Sequence, residues 1–371
     1  MSESRRIWNK TILVLANYDI GLYKFRRALL QELLCQGNEV YISLPYGDLV
    51  PELEKLGCRF IDTALERRGM NPLRDISLYR QYRRILKEIK PDLVISYTIK
   101  PNIYGGLACR AARIPFAANI TGLGSAIEGG GMLKLLVTTM YRVGLAKAKV
   151  VFFENEGNRA VLVNAGVVKK EQTHVLCGAG IDTEEHPILP YPQDAPVHFL
   201  FVGRIMKEKG VDELFDAMTR LKAEYGDGVI LDVVGMFEEA YQERIEQLQN
   251  DGIIVFHGYQ QDVKPFYGMA HCVVLPSYHE GMSNVLLEAA SSGRPLITSR
   301  IHGCMEAVED GVSGFLCEVR DADALYDAMK RFAALPQEEK VRFGRAGRER
   351  MEMMFDKSRV VAETMRRLFD A

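Results

Sequence analysis

The stretch YHEGMSNVLLEAASSGRP, residues 278–295, decides the fold of this chain. An apolar run at 271–276 precedes it and another, Leu296–Ser299, follows it, and such runs are typical of the buried strands of a parallel sheet. Between them, Ser283 is a suitable N-cap for a helix over residues 284–292, which a glycine and a proline then end. The helix therefore starts at the carboxyl end of a strand, where its backbone N–H groups favour an anion such as a diphosphate.

Two carboxylates flank the start of this helix. Glu280 precedes it and Glu288 lies one turn inside it. This arrangement is unusual for a phosphate site alone, but it suits a ligand with sugar hydroxyls on either side of its phosphates. The alternative is that Glu280 is a solvated loop residue and Glu288 a surface position on an ordinary helix.

The length of 371 residues predicts two domains, because a single core rarely grows that large. With 47% hydrophobic and 26% charged residues, the composition is that of a soluble α/β protein. No apolar run approaches the roughly 20 residues that span a bilayer, and residues 1–10 lead into a strand without the apolar segment of a signal peptide. We therefore expect a cytoplasmic protein. The seven cysteines include no CxxC pair, which predicts reduced, mostly buried thiols rather than a zinc site or disulfides.

The net charge of −2 hides an asymmetry between the two halves. Residues 1–185 carry 26 Lys+Arg against 19 Asp+Glu, and the remainder carries 21 against 30. Eight basic residues fall between Arg67 and Lys90, interleaved with apolar residues, which predicts a basic amphipathic helix able to face anionic lipid. The alternative is an ordinary solvated helix face. A nucleic-acid partner is not indicated, because no aromatic platform accompanies these charges.

Other segments exclude or qualify further classes. A strand over 11–16, a helix and a strand over 39–44 form a βαβ opening, but its loop holds only Gly21, so the NAD motif GxGxxG is absent. Asp321-Ala322-Asp323 imitates the metal-binding DxD motif, yet its place at a helix start predicts capping. A stripe of apolar residues predicts a core-facing helix over 132–151, with a membrane-touching helix end as the alternative. The stripe consists of Met132, Leu135, Leu136, Met140 and Val143.

Several segments together resemble the retaining family-4 glycosyltransferases. The pair Glu280 and Glu288 is similar to the E-x7-E region of that family, and GRIMKEKG, residues 203–210, is similar to its GR…EKG segment. IKPNIYG, residues 99–105, and ITGLG, residues 120–124, look like the bacterial subgroup that extends polyprenyl-diphosphate-linked sugars for capsule, O-antigen or protein glycosylation.

The resemblance implies an α/β protein with the GT-B fold, in which two Rossmann-like, doubly wound parallel-sheet domains face each other across a cleft. The N-terminal, acceptor-binding domain would span 1–185, and the proline-rich residues 186–196 would form the linker. The C-terminal, nucleotide-sugar-binding domain would span 197–355. Residues 356–371 would form a helix that crosses back to the first domain.

The implied reaction transfers a hexose or N-acetylhexosamine from a UDP-sugar, with retention, to a lipid-diphosphate-linked saccharide. The enzyme would work on the inner face of the cell membrane, as a peripheral protein on its anionic surface. As catalytic residues, Arg204 and Lys209 would neutralise the departing diphosphate, so that no metal or other cofactor is expected. Glu280, the third implied catalytic residue, would contact the donor sugar, and Glu288 would bind the ribose. The other implied donor-binding residues are Gly21, Gly203, Gly235, Gly258, Tyr259, Gly281, Met282, Ser283 and Asn284. The implied acceptor-binding residues are Lys100, Asn119, Thr121 and Gly122.

Two residues depart from the family pattern. Many members carry a His near the reacting carbon, but here the loop is NITGLG, residues 119–124. Thr121 or a backbone carbonyl would stand there, and we assign no general base. Ser283 takes the place of a Pro found in many members, and either residue suits a helix start.

Other classes of protein remain open at this point. A nucleotide-sugar 2-epimerase shares the architecture but needs acid and base side chains in its cleft. A phosphorylase of similar fold needs a lysine that carries pyridoxal phosphate. A non-catalytic module would bind UDP and leave the UDP-sugar intact.

Overall fold

The computed structural model describes residues 8–65, 71–124, 131–193 and 196–369. They divide into two units, one of residues 1–179 with 357–371 and the other of residues 180–356. The described part of each unit is built on one parallel sheet with helices on both of its faces.

The strands of the first unit are short, and most are apolar and buried, as expected when helices cover both faces of a parallel sheet. Their bounds are β1 Thr11–Leu15, β2 Glu39–Leu44, β3 Arg59–Asp62, β4 Leu93–Tyr97, β5 Phe116–Ile120, β6 Val150–Phe153 and β7 Thr173–Val175. Among the described residues the order is β3-β2-β1-β4-β5-β6-β7, so the chain direction across the sheet reverses between β1 and β4.

Seven helices of the described chain belong to this unit. They are α1 Asp19–Cys35, α2 Val50–Lys55, α3 Pro72–Ile89, α4 Gly106–Ala112, α5 Gly131–Leu145, α6 Glu156–Asn164 and α13 Lys357–Phe369. One buried cluster joins α3, α4, α5 and α6 to the sheet, and a second joins α1, α2 and α13 to it. Because helices cover both faces of the sheet, side chains that contact a ligand must lie at the ends of the strands.

The second unit repeats this plan with six strands and six helices among its described residues. The strands are β8 Val197–Val202, β9 Val229–Val234, β10 Ile254–Phe256, β11 Cys272–Leu275, β12 Leu296–Ser299 and β13 Gly314–Cys317. The helices are α7 Val211–Tyr225, α8 Gln242–Asn250, α9 Lys264–Met269, α10 Asn284–Ser291, α11 Ala322–Ala333 and α12 Gln337–Met354. The described strands run in the order β10-β9-β8-β11-β12-β13, with the reversal between β8 and β11.

The proline-rich segment proposed as a linker packs on the second unit over its described part, 186–193. Arg294, which is fully buried, donates hydrogen bonds to the carbonyl oxygens of Tyr267 and Pro190 at 2.5 and 2.6 Å. Its guanidinium also lies 5.2 Å from the ring centre of Tyr191. Residues 194 and 195 of the proposed linker lie outside the described ranges.

The prediction that an apolar stripe of α5 faces the core is wrong. Met132 and Leu135 are 89% and 69% exposed, and Leu136 and Val143 are also exposed. The core is instead contacted by the residues on the other side of the helix, which are Val137, Thr138, Tyr141, Gly144 and Leu145. Small and polar residues occupy part of the true core face, so the apolar pattern indicated the wrong side.

The basic amphipathic helix is confirmed as α3. It buries Leu78, Tyr82, Ile85 and Leu86 and exposes Arg80, Arg83, Arg84 and Lys87. Arg67 and Arg68, which the prediction included, lie outside the described residues.

None of the helices in the described chain has both the length and the hydropathy of a membrane-spanning segment. Five of the seven cysteines are buried, while Cys35 is exposed and Cys177 half-buried.

Candidate active site

Five loops of the second unit meet at the carboxyl edge of its sheet, because its strands are parallel. They follow β8, β9, β10, β11 and β12, and the loops after β8 and β11 flank the point where the strand order reverses. In open α/β sheets this reversal leaves a crevice in which ligands bind. The predicted residues Arg204, Lys209 and Glu280 lie in these two loops.

Backbone hydrogen bonds tie the loops to one another. Tyr278 N donates to Glu208 O at 2.9 Å, which joins the loops after β11 and β8. Ser283 N donates to Gly303 O at 2.9 Å, which joins the loops after β11 and β12. Gly235 N donates to Gly258 O at 2.8 Å, so these two predicted donor-binding glycines are in contact. These hydrogen bonds therefore hold the loops at the carboxyl edge of the sheet in fixed positions relative to one another.

Lys209 and Glu280 form an ion pair across the reversal point. Lys209 Nζ lies 2.5 Å from Glu280 Oε1, and the two side chains are 16% and 14% exposed. Ser277 Oγ donates to the same carboxylate oxygen at 2.9 Å. Removing two charges from water is costly, so a nearly buried pair away from the core is better explained by a ligand than by stability.

Gly210 brings these two loops into close contact. Its φ is +70°, and a Cβ there would lie 2.1 Å from the carbonyl oxygen of Pro276. Only glycine fits both the conformation and the space. Gly303 plays a similar part on the other side, since its φ is +91° and a Cβ there would lie 2.5 Å from Gly281 O. In the sequence, Gly210 was considered only as part of GRIMKEKG and Gly303 was missed, although both lie in loops at this edge.

Arg204 follows Gly203 at the end of β8 and contacts a different carboxylate. Its Nη1 lies 3.6 Å from Oε2 of Glu238, in the loop after β9, and its side chain is 48% exposed. At that distance and exposure the pair is weak, and Arg204 can turn to a ligand at little cost. Tyr259, 58% exposed in the loop after β10, presents an aromatic ring at the same edge.

The helix over residues 284–292 is confirmed as α10, which ends one residue earlier. Ser283 occupies the N-cap position with extended backbone, but its side chain makes no capping hydrogen bond, contrary to the prediction. Ser283 and the neighbouring Met282 are buried, and Gly281 precedes them in the loop that leads to Asn284. The structure therefore gives this helix start a fixed backbone without a side-chain cap.

Glu288 accepts a hydrogen bond from a buried tyrosine that was not predicted from the sequence. Tyr267 of α9 is fully buried, and its hydroxyl donates to Glu288 Oε2 at 3.1 Å. Burial and the neighbouring carboxylate raise the pKa of Tyr267 well above its ordinary value, so its hydroxyl keeps the proton that it donates. The apolar spacing of α9 carried no signal of this contact.

In the first unit, Asn119 belongs to a buried polar network. Its Nδ2 donates a 3.2 Å hydrogen bond to the backbone oxygen of Ser96, and its backbone carbonyl oxygen accepts a 2.8 Å hydrogen bond from Asn102 Nδ2. Ser96 Oγ in turn donates to Asn102 Oδ1 at 2.5 Å. This network fastens the PNIYG turn to the ends of β4 and β5. Asn119 is 5% exposed, so its side chain supports the edge from inside.

Thr121 and Gly122 follow the carboxyl end of β5, at the same edge as Thr98. Thr98 follows β4 at the reversal point and has a φ of +71°, which is costly for a β-branched residue. Thr98 was not predicted from the sequence, because nothing in the composition marks a threonine as left-handed.

Gly21 was predicted to lie in the loop after β1, but α1 begins at Asp19, so Gly21 lies inside the first turn of that helix.

Lys100 pairs with a nearly buried carboxylate. Its Nζ lies 2.9 Å from Asp75 Oδ1, and the side chains are 14% and 11% exposed. A cavity of about 330 Å³ adjoins this pair, and Arg74 and Ser77 also line it. The site therefore offers two cations and a hydroxyl beside the end of β4.

Asp321 is confirmed as a helix cap. Its side chain accepts a hydrogen bond from Ala324 N at 2.9 Å at the start of α11. Asp323 instead pairs with Arg220 at 2.6 Å. The DxD run is thus a feature of helix structure.

Two doubly wound parallel-sheet units, the second with Arg204, Lys209 and Glu280 where its strand order reverses, are the architecture of the GT-B class. Residues 183–350 match the family described as glycosyl transferases group 1, and residues 11–155 match the family described as glycosyl transferase 4-like. The chain is therefore a glycosyltransferase with a 4-like N-terminal part and a group 1 C-terminal part, which confirms the predicted recognition and enzyme class.

Relatives of known name support this assignment. The chain is 24% identical, over 96% of its length and 97% of the relative, to the N,N'-diacetylbacillosaminyl-diphospho-undecaprenol alpha-1,3-N-acetylgalactosaminyltransferase of Campylobacter jejuni. It is 26% identical to the capsular polysaccharide biosynthesis glycosyltransferase CapM of Staphylococcus aureus, over 80% of this chain and 83% of that one.

Solved structures confirm the predicted fold class. A glycosyltransferase from Rickettsia africae superimposes with a TM-score of 0.79 at 18% identity, over 98% of this chain and 100% of that one. Anabaena HepE in complex with UDP-glucose gives a TM-score of 0.77 at 20% identity, over 96% and 99%. The chain therefore has the GT-B fold.

Proposed function

We propose that this glycosyltransferase transfers a hexose or N-acetylhexosamine from a UDP-sugar, with retention, to a lipid-diphosphate-linked saccharide in glycan biosynthesis. The observation that carries the proposal is the ion pair of Lys209 and Glu280 at the point of strand reversal. A diphosphate can bind the lysine while sugar hydroxyls bind the glutamate. Two relatives support it, because the Campylobacter enzyme is named for a diphospho-undecaprenol acceptor and Anabaena HepE forms a complex with UDP-glucose.

In this proposal the second unit binds the donor. Lys209, Arg204 and the first backbone N–H groups of α10 neutralise the two phosphates. Glu280 binds the hydroxyls of the transferred sugar, and Glu288 binds the ribose. Gly235, Gly258 and Tyr259 accommodate the base, with the aromatic ring available for stacking.

The proposed chemistry needs no side chain as general base. The bond between the anomeric carbon and the UDP oxygen breaks, and an acceptor hydroxyl forms the new bond from the same face. The acceptor proton passes to the departing diphosphate, whose charge the two cations hold. Fixed charges and the positioning of the reactants thus account for the rate enhancement, and we propose that no metal is required.

The proposed acceptor site is the edge of the first unit near Lys100. The cavity beside Lys100 and Arg74 offers positive charge for a lipid diphosphate, and Thr121 and Gly122 follow the neighbouring strand. To bind there, the diphosphate would compete with Asp75 for Lys100, just as the donor would compete with Glu280 for Lys209. Binding therefore exchanges one anion for another around a cation that is already in place.

We also propose that the protein associates peripherally with the anionic inner face of the cell membrane, where such an acceptor is found. The exposed basic residues of α3 supply charge, and the exposed Met132, Leu135 and Leu136 of α5 supply apolar contact. Neither feature alone gives firm attachment, since stable binding takes two signals.

A panel of UDP-sugars tests the donor assignment. We expect slow release of UDP from one or two of them without acceptor, and faster release with a polyprenyl-diphosphate-linked saccharide. Activity should persist in a chelator. Conversion to a 2-epimer without added acceptor would instead identify an epimerase, and binding of UDP without turnover of any donor would identify a non-catalytic module.

The contact behind Glu288 gives a sharper prediction. Tyr267→Phe removes only the hydroxyl that orients the carboxylate, so we expect the donor KM to rise about 5- to 10-fold, equivalent to one hydrogen bond, with little change in kcat. Initial rates over a range of donor concentrations measure both constants.

Tyr191→Phe is the matched control for this prediction. Its hydroxyl also makes an internal hydrogen bond in the second unit, to His271 O at 2.7 Å, but makes no contact with Glu288 among those of the described chain. The control should leave the donor KM unchanged. An equal rise in both variants would mean that Tyr267 acts only through stability.

A further inference from the structure

A groove in the first unit lies at the end of the sheet opposite the proposed acceptor site. Its volume is about 500 Å³, and it is lined by α4, the start of β5 and the link that follows α5. Phe116 opens β5 in this groove, whereas Thr121 follows β5 at the other end. With roughly 3.3 Å per strand residue, the two sites are more than about 15 Å apart.

Three cations and no carboxylate line the groove among its described residues. The cations are Arg110 and Arg113 at the end of α4 and Lys147 after α5. All three are exposed. Like charges that converge without an anion repel one another, so this arrangement favours the binding of an anion.

The walls of the groove are fixed by close packing. Gly106 of α4 lies against Gly144 of α5, and a Cβ on Gly106 would be 2.3 Å from the carbonyl oxygen of Gly144. Cys109 is buried, and burial raises the pKa of its thiol to about 12, so this lining residue stays neutral. Arg113 ends α4 in the left-handed conformation, with φ of 58°. The cations therefore stand on a rigid base.

The groove belongs to a helix layer with a strongly positive surface. Segments 72–90, 106–113 and 131–149, which hold α3, α4 and α5, contain twelve basic and two acidic residues. Both acidic residues already have partners, because Asp75 pairs with Lys100 and Glu88 with Arg84. The basic residues are Arg74, Arg80, Arg83, Arg84, Lys87, Lys90, Arg110, Arg113, Lys134, Arg142, Lys147 and Lys149.

An apolar stripe leads along the same layer to the groove. Met132, Leu135 and Leu136 are exposed on the first half of α5, and the exposed side of the helix continues through Val143 to Lys147. An apolar surface that runs into a cationic groove complements a bilayer, whose acyl region lies next to phosphate groups. A free phosphate would explain the cations but not the stripe.

We propose that the groove formed by Arg110, Arg113 and Lys147 binds the phosphate of an anionic phospholipid headgroup. This site rests on the proposed function only in that it names the membrane partner, and it is separate from the donor and acceptor sites. Bound lipid would hold α5 in the plane of the interface with its apolar residues in the bilayer.

Vesicle sedimentation tests the proposal with the full chain and no substrate. The double variant Arg110→Gln/Lys147→Gln should bind mixed phosphatidylcholine and phosphatidylglycerol vesicles about 30-fold more weakly than wild type, as expected for two basic residues near the surface. The matched control Lys24→Gln/Lys55→Gln removes the same charge from α1 and α2, on the other face of the sheet, and should bind like wild type. Pure phosphatidylcholine vesicles should bind neither protein.

Either of two other outcomes would overturn the proposal. Equal weakening of both double variants would mean that net charge, not the groove, drives binding. If inorganic phosphate at constant ionic strength raises the Tm of wild type but not of the groove variant, while vesicle binding is the same for both, the groove takes free phosphate. Unchanged UDP release by the groove variant shows that it is folded and keeps this test separate from that of the donor assignment.

Discussion

Lys209→Ala is expected to lower the kcat of sugar transfer by roughly 100- to 1,000-fold, the usual effect of removing one preorganised group that stabilises transition-state charge. Lys209 is fixed by its contact with Glu280, so it is already placed when charge develops on the departing diphosphate. Initial rates at saturating UDP-sugar measure the effect. Because the charge grows in the transition state, the loss should fall on kcat more than on the donor KM.

Lys207→Ala is the matched control, because Lys207 lies in the same short turn, Lys207–Lys209, but is exposed. We expect it to change kcat by less than about twofold, as for an ordinary surface substitution. Equal losses in the two variants would mean that general positive charge at this edge, and not the fixed lysine, supports the reaction.

Glu280→Gln extends this test to the partner of the lysine. It keeps the shape of the side chain and removes its charge, so the lysine should lose its fixed position. If the two residues act as a pair, the double variant should lose less activity than the product of the two single losses. Independent losses would show that the contact has no part in catalysis.

The sequence predicted the positions of most strands, because buried parallel strands are nearly continuous apolar runs. Strands β2 and β12 were predicted with the bounds that the structure has. Short amphipathic strands such as β3, RFID, were missed, since a half-exposed strand of four residues carries little pattern. The order of the elements and most of the buried strands could thus be predicted, and β3 could not.

The exposed side of α5 could not be predicted for a different reason. Its spacing of apolar residues is helical, and in most globular proteins such a stripe faces the core. Here Gly144 packs against the backbone of Ile103, which needs a small residue on the inner side. Close backbone packing therefore reversed the usual relation between hydropathy and burial.

Much of the candidate site was predicted as a set of residues at one edge, but not as a set of contacts. Parallel strands place Arg204, Lys209 and Glu280 at the same edge whatever the side chains do. Which carboxylate each cation meets depends on loop geometry across 71 residues of sequence, as for Lys209 and Glu280. Asn119 was predicted to bind acceptor, and only the structure shows it bonded to Ser96.

Gly210→Ala is expected to destabilise the second unit by about 3 kcal/mol or more and to lower kcat at temperatures where the variant is folded. The left-handed conformation costs alanine about 1 kcal/mol, and overpacking typically adds about 1 to 3 kcal/mol. The overpacking arises because the new Cβ would lie 2.1 Å from Pro276 O. Relieving that clash separates the loops after β8 and β11, which moves Lys209 away from Glu280. A displacement of about 1 Å can cost a hundredfold in rate.

Gly252→Ala isolates the steric part of this effect. Gly252 has nearly the same conformation, with φ of +67° against +70°, but nothing lies within 4 Å of its Cβ position. Its replacement should cost only about 1 kcal/mol and leave kcat unchanged. Urea unfolding and initial rates on the two variants give both comparisons. If both alanines cost the same free energy, the close approach of the loops does not exist in solution. If Gly210→Ala loses stability but keeps full kcat, the contact between Lys209 and Glu280 does not depend on it.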